Sequence, residues 1–536
     1  PRGDKPPFPC DIRGDCAASP ATVVVRRRPS LSRLPPAIML EIRRRDGTVR
    51  RGAQVVGARF HPFHSEGDRR EAAATCRHPT IAREAIEMSS TAFDSFYFRD
   101  RFGTAAMRAV WDDRRTQQRW LDVEAALAEA EAELGLVPAA AAEEIARAAQ
   151  IDRLDLQSMK AEFDATWNPV VPLVNAIRRV ISPSAARYVH WGATSKNIFD
   201  TGLMLQIKDA YQLVLDEVGA LGDSLAGLAE RHRETVMAGR THGQHAIPIT
   251  FGFKAAVWLD EVHRQQERLL EARTRVLVGE FGGAVGTLAS LGPVGLEVEK
   301  RLMEKLGLAE PVVPVKTAGD RVAEFVLLLC MLSATLGKIA QNIYNLQQTD
   351  IDEVTEFTEG KVGSSAMPHK QNPVASGSVV FLGRLLRSNA GPALDYIHAE
   401  WEDDHRQGET AWKFVPEVCL LMAAQLQTLR RVLDGLIVKP DNMLRNLERQ
   451  RGLSCSEALL MALAGPLGRD AAHELVGKLS KESVATGVAF SELVARDPVV
   501  TANLGKEELA QALDLQNRVG LATMFVDRVV ARHREA

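Results

Sequence analysis

The chain has 536 residues, of which 46% are hydrophobic and 25% are charged, and its formal net charge at pH 7 is −3. This composition is typical of a globular protein with a large core, and the small net charge does not indicate nucleic acid or an anionic membrane as a partner. The most apolar run, residues 325–332, is too short to cross a bilayer, and the six cysteines include no CxxC pair. We therefore expect a cytoplasmic protein with no membrane contact, no metal and no other cofactor.

Residues 1–87 differ in composition from the rest of the chain. They contain 16 arginines but one lysine, and 10 of the 25 prolines. The basic residues are not followed by an apolar stretch, so they do not form a convincing secretory signal. We expect this segment to be disordered or non-native to the fold, such as an over-extended reading frame or a tail, with a small regulatory extension as the alternative.

Helical periodicity begins near Thr116. Trp120, Val123 and Leu127 recur at intervals of three and four residues, and a Gly and a Pro at 135 and 138 end the run. Similar patterns cover about 139–151 and 155–163. The sequence therefore predicts a mostly α-helical N-terminal domain at 88–195.

Three stretches of the centre contain no proline: 184–247, 249–292 and 315–367. The second carries an apolar stripe with a heptad-like repeat, formed by Ala255, Leu259, Val262, Leu269 and Val276. Helices this long cannot bury their apolar faces within a small monomer. We expect an all-α fold whose central domain, 196–440, is an elongated bundle that associates with copies of itself, followed by a small helical domain at 441–536.

A polar loop follows the third of these stretches. Residues 363–373 read Gly-Ser-Ser-Ala-Met-Pro-His-Lys-Gln-Asn-Pro. The Gly-Ser-Ser half is mobile and the two prolines stiffen the other half, which suits a segment that closes over an anion with backbone N–H groups and a lysine. The alternative is a solvated turn between helices.

Two more stretches carry polar side chains ahead of helices. Thr194, Ser195 and Asn197 precede a predicted helix N-terminus, where such residues either cap the helix or hold a carboxylate. Residues 239–246 contain His242 and His245, and we expect His242 to head the striped helix. No third ligand lies at a sensible spacing, so the pair does not predict a metal site.

The loop at 363–373 resembles the signature GSSxMPxKxNP of the fumarase/aspartase superfamily, and every fixed position is present. The resemblance implies a three-domain, homotetrameric fold whose active sites take residues from three chains. It also implies a lyase that removes a proton next to a carboxylate, through an aci-carboxylate intermediate, and usually releases fumarate.

The same resemblance implies roles for individual residues. Ser364 would be the catalytic base, and His242 would act as general acid or orient a carboxylate. The substrate, a small dicarboxylate, would be bound by Thr194, Ser195, Asn197, Thr241, Gln244, Met367, Lys370 and Asn372.

The motifs do not all resemble the same branch of the superfamily. The framework is most similar to 3-carboxy-cis,cis-muconate cycloisomerases, whereas Thr-His-Gly-Gln-His-Ala at 241–246 resembles adenylosuccinate lyases. Asn168 stands where adenylosuccinate lyases carry a catalytic histidine, and Gly377 stands where many members carry a glutamate that pairs with the acid histidine. A weak or absent general acid favours β-elimination of a good leaving group from a substituted succinate, such as nitrite from nitrosuccinate. The alternatives are a cycloisomerase, an adenylosuccinate lyase or a non-catalytic, crystallin-like member.

Overall fold

The computed structural model describes residues 90–314, 316–357, 364–515 and 518–535. The expectation for residues 1–87 therefore lies outside the described residues, as does Gly363 of the signature loop.

The described chain is built almost entirely of helices. In chain order these are α1 (Ala105–Trp111), α2 (Asp113–Glu133), α3 (Ala139–Ala148), α4 (Leu156–Thr166), α5 (Val170–Val180), α6 (Pro183–Ala186), α7 (Ser195–Arg231), α8 (Phe251–Val276), α9 (Val294–Leu306), α10 (Asp320–Leu346), α11 (Val374–Arg387), α12 (Ala390–Asp395), α13 (His405–Asp434), α14 (Pro440–Glu448), α15 (Ser456–Leu467), α16 (Arg469–Thr486), α17 (Phe490–Arg496), α18 (Pro498–Asn503), α19 (Lys506–Leu513) and α20 (Ala522–Glu535). Four short strands form two antiparallel pairs, β1 (Val236–Thr241) with β2 (Gln244–Thr250) and β3 (Val354–Thr355) with β4 (Ile437–Val438). The predicted all-α class is confirmed.

Helix α2 begins and ends where the sequence indicated. The Asp112 carboxylate accepts a hydrogen bond from the Arg115 N–H at 2.7 Å and so satisfies one of the free amides of the first turn. Of the periodic apolar residues, Val123 and Leu127 are each 1% exposed, whereas Trp120 is partly buried. Gly135 follows with φ +74°, a conformation that favours glycine and stops the helix.

Each proline-free stretch contains one long helix of the central bundle: α7, α8 and α10 have 37, 26 and 27 residues. The β1–β2 hairpin reverses the chain between α7 and α8, so these two helices pack antiparallel. All five residues of the predicted stripe on α8 are 0–1% exposed. Because fully burying one such aliphatic side chain contributes about 1.5–3 kcal/mol, the stripe is a main source of bundle stability.

Helix α10 is long and apolar enough to cross a bilayer by length and composition alone. However, 67% of its most apolar window is buried inside the protein, where it packs against α8, α11 and α13. A core helix of a bundle meets the same two criteria, so this helix is explained by its packing.

The C-terminal part of the chain has a second, smaller core. Leu459, Leu463, Phe490 and Val494 are all fully buried within it. The last helix, α20, packs instead against α7 and α8, and Arg233 there holds Asp527 through two hydrogen bonds of 2.7 and 2.8 Å. The domain limits drawn from the sequence stay a prediction.

Candidate active site

The first predicted motif lies at the N-terminus of α7. Thr194 is the N-cap residue, with extended backbone at φ −116° and ψ 159°. Its N–H donates to the Asn197 Oδ1 at 3.0 Å, and the Gly283 N–H donates to the same oxygen at 3.2 Å. The Asn197 Nδ2 donates to Glu280 at 2.7 Å, and Asn197 is 0% exposed. Asn197 is therefore fully engaged in shaping the start of α7, whereas Thr194 and Ser195 remain partly exposed.

The Ser195 hydroxyl contacts the side chain of Asn168. The Asn168 Nδ2 donates to the Ser195 Oγ at 3.2 Å. The Asn168 Oδ1 accepts the N–H groups of Val170 and Val171, both at 3.0 Å, and so fixes the first turn of α5. The structure thus places Asn168 and Ser195 on one small polar surface between α5 and α7.

The second motif forms the tip of a β-hairpin. His242 and Gly243 are the two turn residues between the paired Thr241 and Gln244, with φ values of +52° and +75°. The prediction that His242 heads a helix is wrong, because a two-residue turn with both φ values positive fits the twist of an antiparallel pair. For histidine this backbone conformation is uncommon and costs roughly 1 kcal/mol or more, as is frequent at functional sites. Thr241, His242 and Gln244 are all exposed.

An ion pair with the buried carboxylate of Glu353 holds the hairpin close to its tip, one residue before Thr241. The Arg240 guanidinium donates to both carboxylate oxygens of Glu353, at 2.9 and 2.5 Å. Glu353 is 0% exposed and also accepts the Asn446 Nδ2 at 2.9 Å. Burial, together with the positive charge of Arg240, lowers the pKa of the nearby His245. The hairpin that presents His242 is therefore attached rigidly to α14.

The third motif is the signature loop, described from Ser364 onward. The Ser364 Oγ accepts hydrogen bonds from the backbone N–H groups of Met367, at 3.1 Å, and Ala366, at 3.4 Å. The Lys370 N–H donates to the Met367 carbonyl at 3.0 Å, and the side chains of Met367 and Lys370 are exposed. Asn372 is half-buried next to Pro373, at the start of α11.

Glu356 holds the two ends of this loop together, although the sequence did not point to it. Its carboxylate accepts the N–H groups of Ala375 at 2.8 Å and Ser376 at 2.9 Å, and the Ser376 hydroxyl at 2.7 Å. It thereby caps α11, where a negative charge is favourable. Gly377, one residue further on, has room for a side chain, because an added Cβ would lie 3.8 Å from Tyr344.

Within one chain, the first motif lies far from the second. Helix α7 has 37 residues and is therefore about 55 Å long. Ser195 begins this helix, and the hairpin of His242 follows its other end, where the Phe251 N–H donates to the Thr235 carbonyl. Among the described residues, no hydrogen bond or ion pair joins the first motif to the second.

A buried cluster of charges beneath Thr194 was also missed by sequence reasoning. The Lys196 ammonium lies 2.8 Å from the Asp200 carboxylate, and Lys316 pairs with Asp403 at 2.7 Å. Burial raises the pKa of Asp200 to about 6, while burial and the neighbouring Asp200 raise the pKa of Glu280 to about 8. Charged residues on the inward face of a helix N-terminus are the sequence signal that could have predicted this cluster.

Known proteins resemble this chain over most of its length. The family model described as Lyase matches residues 100–382, just over half of the chain, and the model for the adenylosuccinate lyase C-terminus matches 452–529. The N-acetyl-S-(2-succino)cysteine lyase of Enterococcus italicus is 39% identical over 445 residues, which cover 83% of this chain and 98% of that protein. This chain belongs to the fumarase/aspartase superfamily.

Other members of the superfamily are similar to about the same degree. The adenylosuccinate lyase of Methanocaldococcus jannaschii is 39% identical over 436 residues, covering 80% of this chain and 94% of that protein. The crystal structure of a 3-carboxy-cis,cis-muconate lactonizing enzyme from Pseudomonas putida matches with a TM-score of 0.75 and 37% identity, over 81% of this chain and 98% of that one. The resemblance drawn from the signature loop is confirmed, and the protein is a β-elimination lyase of this superfamily.

Proposed function

We propose that the protein cleaves a succinate that carries a thioether, releasing fumarate and a thiol. The observation that carries the proposal is the Ser364 hydroxyl, whose oxygen accepts two backbone N–H groups of its own loop. Hydrogen bonds to the charged form of a group lower its pKa, so these donors stabilise the alkoxide that a serine base requires.

The proton that Ser364 removes is only weakly acidic. It leaves when the adjacent carboxylate develops into the aci form, whose extra negative charge needs donors and cations around it. Thr194 and Ser195, at the free amides of the α7 N-terminus, would bind one substrate carboxylate. Lys370 and Asn372 would bind the other, with Thr241, Gln244 and Met367 completing the site. Asn197 then acts by positioning Thr194, because its own polar atoms are occupied.

The contacts of His242 indicate which kind of leaving group the enzyme would expel. Among the described residues, His242 has no hydrogen bond or ion pair, and Gly377 has no carboxylate to offer it. A general acid is least needed when the leaving group is stable as an anion. Thiols have pKa values near 8.5, far below those of amines or alcohols as leaving groups, so a thiolate can depart without one. The similarity to a lyase of N-acetyl-S-(2-succino)cysteine supports the same choice.

Nitrite, released from nitrosuccinate, is the second candidate leaving group. Gly377 supplies no carboxylate to pair with His242, and a weak general acid suits any good leaving group. The cycloisomerase reaction is the remaining alternative, and the similarity to the muconate lactonizing enzyme favours it. For each of these reactions we also propose a homotetramer with sites shared by three chains, since one chain separates its motifs by most of the length of α7.

The experiment that tests the proposal is a substrate panel. Purified protein is given N-acetyl-S-(2-succino)cysteine, nitrosuccinate, adenylosuccinate and 3-carboxymuconate, and the ultraviolet absorbance of fumarate or loss of the muconate is followed. Fumarate and free thiol in equal amounts from the first compound support the proposal. Fumarate with nitrite, or loss of muconate alone, would replace it with the corresponding alternative.

A further inference from the structure

A cavity of about 400 Å³ opens next to the N-terminus of α7. It lies between α2, α4, α5, α7 and α13, and four of the residues that line it are aromatic. The aromatic residues are Trp111, Trp120, Phe163 and Trp412. Cavities of this size with mainly apolar walls are typical of small-molecule sites.

Two sets of contacts connect the cavity with Ser195. The Asn168 amide donates to the Ser195 Oγ at 3.2 Å, and the next residue, Pro169, forms part of the cavity wall. Phe199 lies one turn below Ser195 on α7 and packs its ring edge-on against Trp412, with centroids 5.5 Å apart. The wall thus includes the neighbour of Asn168, the residue that is hydrogen-bonded to the hydroxyl that we propose to bind a carboxylate.

The charges of the wall restrict what it can hold. The described residues that line the cavity include no arginine, and their one lysine, Lys160, is paired with Asp164 at 2.6 Å. Asp113 adds a negative charge. A phosphate would require arginine or free lysine donors, so the cavity does not suit a nucleotide. A three-atom ion such as nitrite would leave it nearly empty.

We propose that this cavity receives the leaving group and that it favours thiols with a large apolar or aromatic substituent over small thiols. This inference rests on the proposed function, because it assigns the second half of the same substrate. Phe163 is a specificity-determining residue in this account: it lines the cavity and is 37% exposed, so its ring is available to a ligand.

The test compares two succinates with thioether groups of different size, 2-(methylthio)succinate and 2-(2-phenylethylthio)succinate. Their thiols differ little in acidity, so a difference in kcat/KM for fumarate formation reports on binding of the substituent. We expect the phenylethyl compound to be preferred about tenfold or more, since burying a phenyl group is worth at least that factor. Phe163→Ala should remove most of this preference, so that the ratio of the two kcat/KM values falls towards one.

Phe96→Ala is the matched control, because Phe96 is 73% exposed and lies outside the cavity. An unchanged preference in Phe163→Ala, or an equal loss for both substrates, would overturn the proposal. If Phe163→Ala does not fold, Phe163→Leu replaces it, with a loss of preference of about threefold expected.

Calorimetric titration with 2-phenylethanethiol separates this inference from the proposed function. If the wild type forms no fumarate from either thioether, the proposed function fails. Binding of the thiol that is weakened by Phe163→Ala and unaffected by Phe96→Ala would still support the cavity as its site. Equal binding by all three proteins, or no binding at all, would overturn it.

Discussion

Ser195 is the first residue of α7, a helix about 55 Å long, and His242 lies beyond the other end of that helix. The hairpin that carries His242 is attached to its own end of the bundle by the Arg240–Glu353 ion pair, so it cannot reach back along the helix. If both residues serve one substrate, as we propose, they must come from different chains. The separation therefore gives a physical reason for an oligomer in which sites are shared.

Subunit mixing tests this directly. Ser195→Ala and His242→Ala variants should each have much lower activity, because we propose that Ser195 binds one substrate carboxylate and that His242 orients a carboxylate rather than acting as general acid. Co-expression should restore part of that activity. With random assembly, about a quarter of the sites would combine an intact Ser195 with an intact His242 from another chain. The measurement is fumarate formation by doubly tagged, co-purified oligomers. Mixed oligomers with no more activity than either parent would show that sites are not shared between chains.

The Glu353 carboxylate is expected to contribute strongly to stability. Glu353→Ala leaves the buried Arg240 guanidinium and the Asn446 amide without their acceptor, and breaking a buried pair in this way costs about 3–5 kcal/mol. Unfolding by urea measures the loss. Glu234→Ala is the control, because Glu234 also pairs with an arginine but its side chain is 79% exposed; it should cost less than about 1 kcal/mol. Equal losses for both variants would contradict this assignment.

Glu280 should make stability depend on pH. Burial first, and then Asp200, raises its pKa to about 8 from the ordinary value of 4.5, so the folded protein binds this proton more tightly than the unfolded chain. The resulting stabilisation is complete below about pH 4.5 and is lost as the pH rises through about 8, with a slope of at most about 1.4 kcal/mol per pH unit.

Glu280→Gln stays neutral and keeps an acceptor for Asn197, so its free energy of unfolding should fall less steeply between pH 5 and 8 than that of the wild type. Glu304→Gln, at an exposed position on α9, serves as control and should follow the wild type. Parallel curves for Glu280→Gln and the wild type would show that Glu280 is ionised in the folded protein.

Much of the fold could be predicted because local rules and packing agree. The stripe on α8 is buried as its period indicates, and Thr194 stands at a helix start as its residue type favours. The hairpin at 236–250 was missed, although Gly243 between Thr241 and Gln244 is consistent with a two-residue turn. Its position depends on Glu353, more than a hundred residues away, which no local pattern reveals.

The sequence indicated which residues belong to the candidate site, but it did not indicate how they are arranged in space. The signature loop marked Ser364, yet the two backbone N–H groups on its hydroxyl depend on the loop conformation. Asn197 matched a substrate-binding pattern, while its burial against Glu280 gives it a positioning role in the fold. Side-chain burial of this kind is set by tertiary packing, which sequence spacing alone does not specify.

The most direct test of the account is fumarate formation from N-acetyl-S-(2-succino)cysteine by the wild type, by Ser364→Ala and by Ser365→Ala. Ser365 is the exposed neighbour in the same loop, so its variant controls for disturbance of the loop. The account predicts that Ser364→Ala lowers kcat by about a thousandfold or more, as loss of a catalytic base does, while Ser365→Ala stays within about tenfold of the wild type. Ser364→Ala turning over at the wild-type rate would contradict the assignment of Ser364 as the base.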